Sequence, residues 1–351
     1  MEKIVQNFIK HIQSHLGNQD IHFKSFDLIA GDASDRKFYR LILESPQKTF
    51  SFIAMSFSKS GFGGDLLSWK NLHHDFSSLG VPTPTLYYEE GSFLWIQDLG
   101  ETFLKTGKDF IGSSNVDDYQ KSLKILWNLQ SRADQMPKNS LIFQRHFDYE
   151  KLWWEIEFLE KHFVHGYLGE ELPSQVKEEL KALCVYLDQR PRTLCHRDYH
   201  SKNIMLFETK AYWIDFQDAR CGPYTYDLVS LLKDSYIKFD EQIRYDLFMY
   251  YLEGLKESAP KIYQEVFPSL EIAIEEFHFM GLQRNLKNIA SFAYLAREKG
   301  KEEYLKFIPY TLSILFLDPK VWGYAAQKKF PYTYDYAHKL KGYSRLSYQE
   351  D

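Results

Sequence analysis

Asp198, Asn203 and Asp215 have the residue types and the spacing that phosphoryl transfer asks for. They lie in a non-helical island, residues 193–222. It reads Leu194-Cys195-His196-Arg197-Asp198-Tyr199-His200-Ser201-Lys202-Asn203-Ile204-Met205-Leu206, then Tyr212-Trp213-Ile214-Asp215-Phe216-Gln217-Asp218. Moving a phosphoryl group to a hydroxyl needs little covalent help. It needs an acceptor held in line, a divalent cation across the phosphates and a carboxylate near the acceptor hydroxyl. Asp198 takes or orients that hydroxyl. Asn203 offers an amide oxygen to Mg²⁺, and Asp215 adds the anionic ligand, because Mg²⁺ favours a few carboxylate oxygens plus phosphates. ATP and Mg²⁺ are therefore the expected cofactors. The bland alternative, polar residues decorating two turns, would need three matched elements in the right order by chance.

The same spacing matches the His-Arg-Asp…Asn and Asp-Phe loops of protein kinases. Gln217 stands where those kinases carry glycine. His200 replaces a lysine and is expected to donate a hydrogen bond to the γ-phosphate. Upstream, Gly31-Asp32-Ala33-Ser34-Asp35-Arg36 falls between two strand-like stretches. One glycine more often marks a plain hairpin turn, but the downstream loop favours a phosphate-covering segment in which Ser34 and backbone amides meet the nucleotide. Arg36, Lys37 and Arg40 add positive charge there. In Gln97-Asp98-Leu99-Gly100, the backbone of Gln97 and Leu99 is expected to pair with adenine while the segment connects two lobes. Asp227, early in a helix after Gly222-Pro223, serves as a cap or dipole partner, or braces the catalytic loop. Arg284 and Lys287 share a helix face. Such charges are usually solvated surface.

The elements around these residues, together with the kinase-like spacing, read as an α+β, bilobal, protein-kinase-like fold. Ile4, Val5, Phe8, Ile9, Ile12 and Leu16 recur at helical spacing. Strand-like stretches follow at 23–29, 38–43 and 49–57, punctuated by Gly31-Asp32 and Ser45-Pro46. A helix over 66–79 ends at Gly80, and a strand at 93–96 runs into Gln97. Residues 1–97 are thus expected to form a small antiparallel-sheet nucleotide-binding lobe. Residues 98–351 form a larger, mainly helical catalytic and substrate-binding lobe, with helices near 116–133, 148–165, 173–189, 225–238, 241–257, 271–298 and 301–317. The apolar runs ending each half of the island predict a hairpin. Residues 330–351, rich in Tyr, Lys and Ser, read as a surface tail.

Composition narrows the class. The 351 residues carry a net charge of -5 with no long run of one sign, which argues against nucleic acid as partner. No stretch reaches the ~18 apolar residues of a membrane span, and the N-terminus lacks a signal-peptide core. The three cysteines share no CxxC spacing, which fits a reducing cytoplasm without disulfide or zinc.

Taken together, these blocks resemble the aminoglycoside phosphotransferase/choline kinase superfamily, whose loop commonly reads His-x-Asp-x-His-x-x-Asn. The chain is most similar to the bacterial anomeric N-acetylmuramate/N-acetylglucosamine kinases of cell-wall sugar recycling. Gly31-Asp32-Ala33-Ser34, the stretch from Gly222-Pro223 to Leu232 and Met280-Gly281-Leu282-Gln283-Arg284-Asn285-Leu286-Lys287 carry that likeness. The resemblance covers roughly residues 25 to 310. It implies transfer of the γ-phosphate of ATP to the 1-hydroxyl of an amino sugar. Arg284 or Arg220 would contact substrate, since a bidentate arginine suits a lactyl carboxylate. One departure stands out: the third strand holds no lysine and the helix over 66–79 no glutamate. Arg36, Arg40 or Lys59 is left to meet the α/β-phosphates. Two other readings remain: another acceptor (an aminoglycoside, choline or a different small hydroxyl compound), and an inactive kinase-fold binding protein.

Overall fold

The computed structural model describes residues 2–29, 36–58, 65–104, 110–111 and 116–342. The expected phosphate-covering segment with Ser34, and Lys59, lie outside these residues. Two compact units result: Met1–Thr102 with Met205–Gln217, and Phe103–Ile204 with Asp218–Asp351.

In the first unit, helix α1 (Glu2–Leu16) is followed by strands β1 (His22–Ile29), β2 (Lys37–Glu44) and β3 (Thr49–Ser56), helix α2 (Asp65–Ser78), and strands β4 (Leu86–Glu90) and β5 (Phe93–Gln97). The five strands form one antiparallel sheet in the order β1-β2-β3-β5-β4. Successive side chains of a strand point to opposite faces. Thus Leu41 and Leu43 of β2 enter the core, while Arg40 before them and Ile42 between them do not. Phe8 of α1 closes that core, stacked on Trp95 at 4.1 Å and edge-on to Phe52 at 5.1 Å. Strand β4 was not anticipated. Its Leu-Tyr-Tyr-Glu-Glu sequence sits at the sheet edge, half-buried, and carries no clear alternation. Gly80, at φ 75°, ends α2 in the left-handed region.

The anticipated hairpin is present, Ile204–Phe207 against Lys210–Trp213. Leu206 N–H donates to Thr102 O at 2.7 Å and Trp213 N–H to Pro82 O at 2.8 Å. Phe76 of α2 meets Trp213 and Phe216 edge-on, at 5.6 and 5.8 Å.

The second unit is mainly helical. Its main helices are Val116–Gln130, Tyr149–Leu159, Ser174–Asp188, Thr225–Leu232, Glu241–Ser258 and Leu270–Lys299. Short strands Arg192–Cys195 and Arg220–Pro223 pair antiparallel, with Arg220 opposite Cys195. Three expectations need correction. The helix expected over 225–238 stops at Leu232, because the Asp234 carboxylate caps a turn by accepting from Tyr236 N–H. The stretch 301–317 divides into a 3-10 turn, Glu302–Phe307, and the helix Ile308–Ser313, and Ile314–Leu317 is buried without being helical. The tail is no tail as far as residue 342. Pro331–Lys341 is a helix that buries Thr333, Ala337 and Leu340 at helical spacing, and Thr333 donates twice to Glu179 Oε2.

No helix among the described residues is long and apolar enough to cross a membrane.

Candidate active site

The catalytic-loop residues belong to the second unit. Strand Arg192–Cys195 delivers the chain to His196, where the loop is seized from below. Asp227 Oδ2 accepts from His196 N–H at 2.6 Å and Oδ1 from Arg197 N–H at 3.1 Å. Arg197 adopts φ 81°, a conformation non-glycine residues avoid and retain only where the surroundings impose it. Its guanidinium is buried over Phe147 and Tyr226, at 4.3 and 5.2 Å, and donates to Glu155 Oε1 at 3.0 Å. At the far end Asp234 Oδ2 accepts from Ser201 N–H at 2.8 Å, and Tyr199 Oη donates to Ser122 O at 2.7 Å. Asp227 thus braces the loop. Burial pushes its carboxyl up, against the two backbone donors, to about 7. An amide at this position presents one acceptor where two are needed. Asp227→Asn is therefore expected to lose about 1–3 kcal/mol of stability, the cost of one unsatisfied buried N–H. An unchanged urea midpoint in equilibrium unfolding would refute the brace.

Within the loop, Asp198 O accepts from His200 N–H and from Asn203 Nδ2, both at 3.0 Å. The second bond fixes the Asn203 amide through its nitrogen and does not engage its oxygen. Burial alone would raise the Asp198 carboxyl. The surrounding Lys287, His200, Arg197 and His196 outweigh it and hold the group down at about 2. His200 is pushed down by burial, against Asp234 and Asp198, so its imidazole is neutral at pH 7. Its Nδ1 is buried without a hydrogen-bond partner among the described residues, and its ring stands edge-on to Tyr236 at 5.2 Å.

Arg284 is not solvated surface. It is 3% exposed, its Nε has no partner among the described residues, and its Nη1 makes a long 3.4 Å hydrogen bond to Asn285 Oδ1. Lys287 is half-buried, and burial lowers it against the pull of Asp198 and Glu155. Arg220, on its short strand, likewise holds a buried Nε without a partner there. Lys151 joins this cationic group: burial lowers its pKa, opposed by Glu155 and reinforced by Arg197, Arg220 and Lys287. Sequence reasoning missed Lys151, Glu155 and Asp234. Glu155 lies in the run Trp153-Trp154-Glu155-Ile156, where a carboxylate in an apolar stretch was the available signal.

Asp215 belongs to the first unit, at φ 62°. Its Oδ1 accepts from Arg36 Nη2 at 2.5 Å and from Gln217 Nε2 at 3.0 Å, and Arg36 Nη1 donates to Gln217 Oε1 at 2.9 Å. The residue that replaces the kinase glycine therefore closes a three-membered polar ring. Phe216 is fully buried against Trp69 and Phe76. Arg40 is committed to Asp98 and Glu101, at 2.7 and 2.6 Å. Gln97 N–H is spent on Thr85 O at 2.8 Å, while the Leu99 side chain is buried. The carboxylate of Asp215 and the amide oxygen of Asn203 are hard oxygen donors, and this donor chemistry fits Mg²⁺.

A bilobal α+β fold carrying this loop is the fold of the small-molecule kinases, and the comparisons agree. Residues 25–260 match the model of the phosphotransferase enzyme family (APH), and the chain belongs to that family. The N-acetylmuramate/N-acetylglucosamine kinase of Neisseria meningitidis is 34% identical over 176 residues, 48% of this chain and 51% of the relative. That of Pseudomonas aeruginosa is 30% identical over 241 residues, 66% of each chain. The matched regions thus span about half to two thirds of these relatives. A choline kinase from Streptococcus pneumoniae shares the fold, with a TM-score of 0.56 at 15% identity, covering 97% of this chain and 99% of that one.

Proposed function

We propose that the protein transfers the γ-phosphate of ATP to the anomeric hydroxyl of N-acetylmuramate, N-acetylglucosamine or both, in cytoplasmic recycling of cell-wall sugars. The observation that carries this reading is the Asp198 carboxylate, held ionised among Lys287, His200 and Arg197 on a loop pinned at both ends. The names of the Neisseria and Pseudomonas relatives support the acceptor class.

In this mechanism Asp198 orients the acceptor hydroxyl and receives its proton late, because a carboxyl near 2 is a weak base. Little proton abstraction is needed when the transition state is loose. Asn203 and Asp215 would hold Mg²⁺, which would supply charge neutralisation. Neutral His200 donates to a phosphate oxygen. Ser34, Arg36 and the backbone of Gln97, in residues 1–97, and of Leu99, just after them, serve the nucleotide. Because Gln97 N–H is already used in the sheet, the adenine donor there falls to Leu99. Arg284 and Arg220 read the lactyl carboxylate of the muramate.

A cationic acceptor such as choline or an aminoglycoside is disfavoured by Lys287 beside Asp198, Arg284 beside His200, and Lys151 and Arg220 beside Glu155 and Arg197. An inactive scaffold has no use for Asp198, Asn203 and Asp215 together. The deciding experiment measures ATP consumption with N-acetylmuramate, N-acetylglucosamine and an aminoglycoside panel, and identifies the phosphorylated position. Product phosphorylated elsewhere than the anomeric carbon overturns the assignment.

Arg284 gives a sharper test. A charge-assisted hydrogen bond is worth about 1.5–3 kcal/mol, so Arg284→Ala is expected to cut kcat/KM for N-acetylmuramate by about 10–100-fold more than for N-acetylglucosamine. Equal, unimpaired kcat/KM for both sugars in Arg284→Ala and in Arg220→Ala would sink the carboxylate contact.

A further inference from the structure

The third strand of this chain has no lysine, and the basic residue nearest the metal carboxylate reaches it from another place. Arg36, at the entrance to β2, places Nη2 2.5 Å from Asp215 Oδ1 and Nη1 2.9 Å from Gln217 Oε1, while Gln217 Nε2 gives Oδ1 a second donor at 3.0 Å. The two ion-pair side chains are only 11% and 27% exposed, so solvent screens the pair weakly. Asp215 is further fixed by its left-handed backbone and by buried Phe216 next to it.

We propose that Arg36 is a positioning residue that occupies the metal-binding carboxylate in the resting protein and yields it only when the cation arrives with nucleotide. This rests on the kinase reading above and adds an order of events to it. A free divalent cation approaching Asp215 Oδ1 meets a guanidinium and an amide that already fill that oxygen, and it must displace a like charge. Nucleotide changes the balance, because its phosphate oxygens offer Arg36 a bidentate partner equivalent to the one it leaves. The guanidinium passes from carboxylate to phosphate as the cation takes the carboxylate, so no buried charge is left uncompensated at any point. Gln217 keeps its hydrogen bond to Oδ1 throughout and holds the strained residue in place. Arg40 is unsuited to the exchange because Asp98 and Glu101 hold it.

The test uses Mn²⁺ as probe on the full chain, titrated by electron paramagnetic resonance first without nucleotide and then with AMP-PNP. Removing the guanidinium in Arg36→Met is expected to raise nucleotide-free Mn²⁺ affinity by about tenfold or more, the effect of deleting one adjacent like charge. Asp215→Asn in the same background abolishes that gain. With AMP-PNP the order reverses, and Arg36→Met binds nucleotide more weakly than wild type. Arg36→Lys, which keeps the charge but not the fork, stays close to wild type without nucleotide, and it supports the fold should Arg36→Met be unstable. Unchanged or weaker nucleotide-free Mn²⁺ binding in Arg36→Met overturns the proposal, as does a gain in Arg36→Lys equal to that in Arg36→Met. Failure of the kinase reading is a separate outcome, seen as wild-type protein that does not bind AMP-PNP at all.

Discussion

Asp198→Asn is expected to lower kcat by about 10²–10⁴-fold while nucleotide affinity stays within about twofold of wild type. The substitution preserves shape, and the main-chain carbonyl that takes His200 N–H and Asn203 Nδ2 is untouched, so the loop and the Asn203 amide stay in place. What disappears is the anion. Lys287, Arg197 and His196 hold the wild-type carboxyl at about 2, so it is charged through the whole working range. An amide still accepts a hydrogen bond from a hydroxyl but cannot take its proton. It also leaves Lys287, already lowered by burial, with Glu155 alone of the two carboxylates that oppose that effect. The sign for pH follows. A carboxyl depressed to about 2 is fully ionised above about pH 4, so an acid limb in kcat near neutrality does not belong to Asp198. Single-turnover kinetics with calorimetric nucleotide binding separates the two effects. A kcat within tenfold of wild type, as well as a loss confined to nucleotide affinity, removes Asp198 from the chemistry.

How far the sequence alone reaches depends on whether partners lie close along the chain. Asp198 and Asn203 share one loop, and the order of apolar and polar residues through Asp215 repeats a known spacing, so that set was legible. Strands β1, β2, β3 and β5 were legible from their Phe- and Ile-rich apolar runs and the turn residues between them. Alternation did not mark them, since β1 holds no buried residue and β5 buries four in a row. Strand β4 was not, since an edge strand with both faces half-exposed leaves no period to read. Arg36 and Asp215 are 179 positions apart, and no local pattern links them. Arg284 looked like any charge on a helix face. Its burial comes from the packing of Leu270–Lys299 inside the second unit, where long runs of that helix are covered on every side. The C-terminal helix was hidden by composition: abundant Tyr and Lys masked the three small or apolar residues it buries.

Glu155 carries the second large effect. Its side chain is fully buried on Tyr149–Leu159, with Oε1 accepting from Arg197 Nη2 and Oε2 from Gln283 Nε2, both at 3.0 Å. Arg197 in turn lies over Phe147 and Tyr226 and occupies the left-handed backbone position immediately before Asp198. Glu155→Ala strands a guanidinium in an apolar surround, and breaking a buried pair in this way costs about 3–5 kcal/mol. That is a large part of the ~5–15 kcal/mol that holds a typical domain folded. The same change frees Arg197 to turn, and with it the loop that aims Asp198, so residual folded protein is expected to lose kcat more than nucleotide affinity. A double replacement distinguishes stability from catalysis. Removing both charges in Glu155→Leu with Arg197→Leu leaves no unpaired ion, and apolar substitutes for a buried pair are often neutral in stability. The double variant should therefore melt close to wild type yet remain slow, because Phe147 and Tyr226 now meet a side chain that does not fix the left-handed turn. Denaturant unfolding that shows Glu155→Ala within about 1 kcal/mol of wild type contradicts the buried-pair account. A double variant with wild-type kcat shows instead that Asp227 alone, through its two backbone hydrogen bonds, is sufficient to aim the loop.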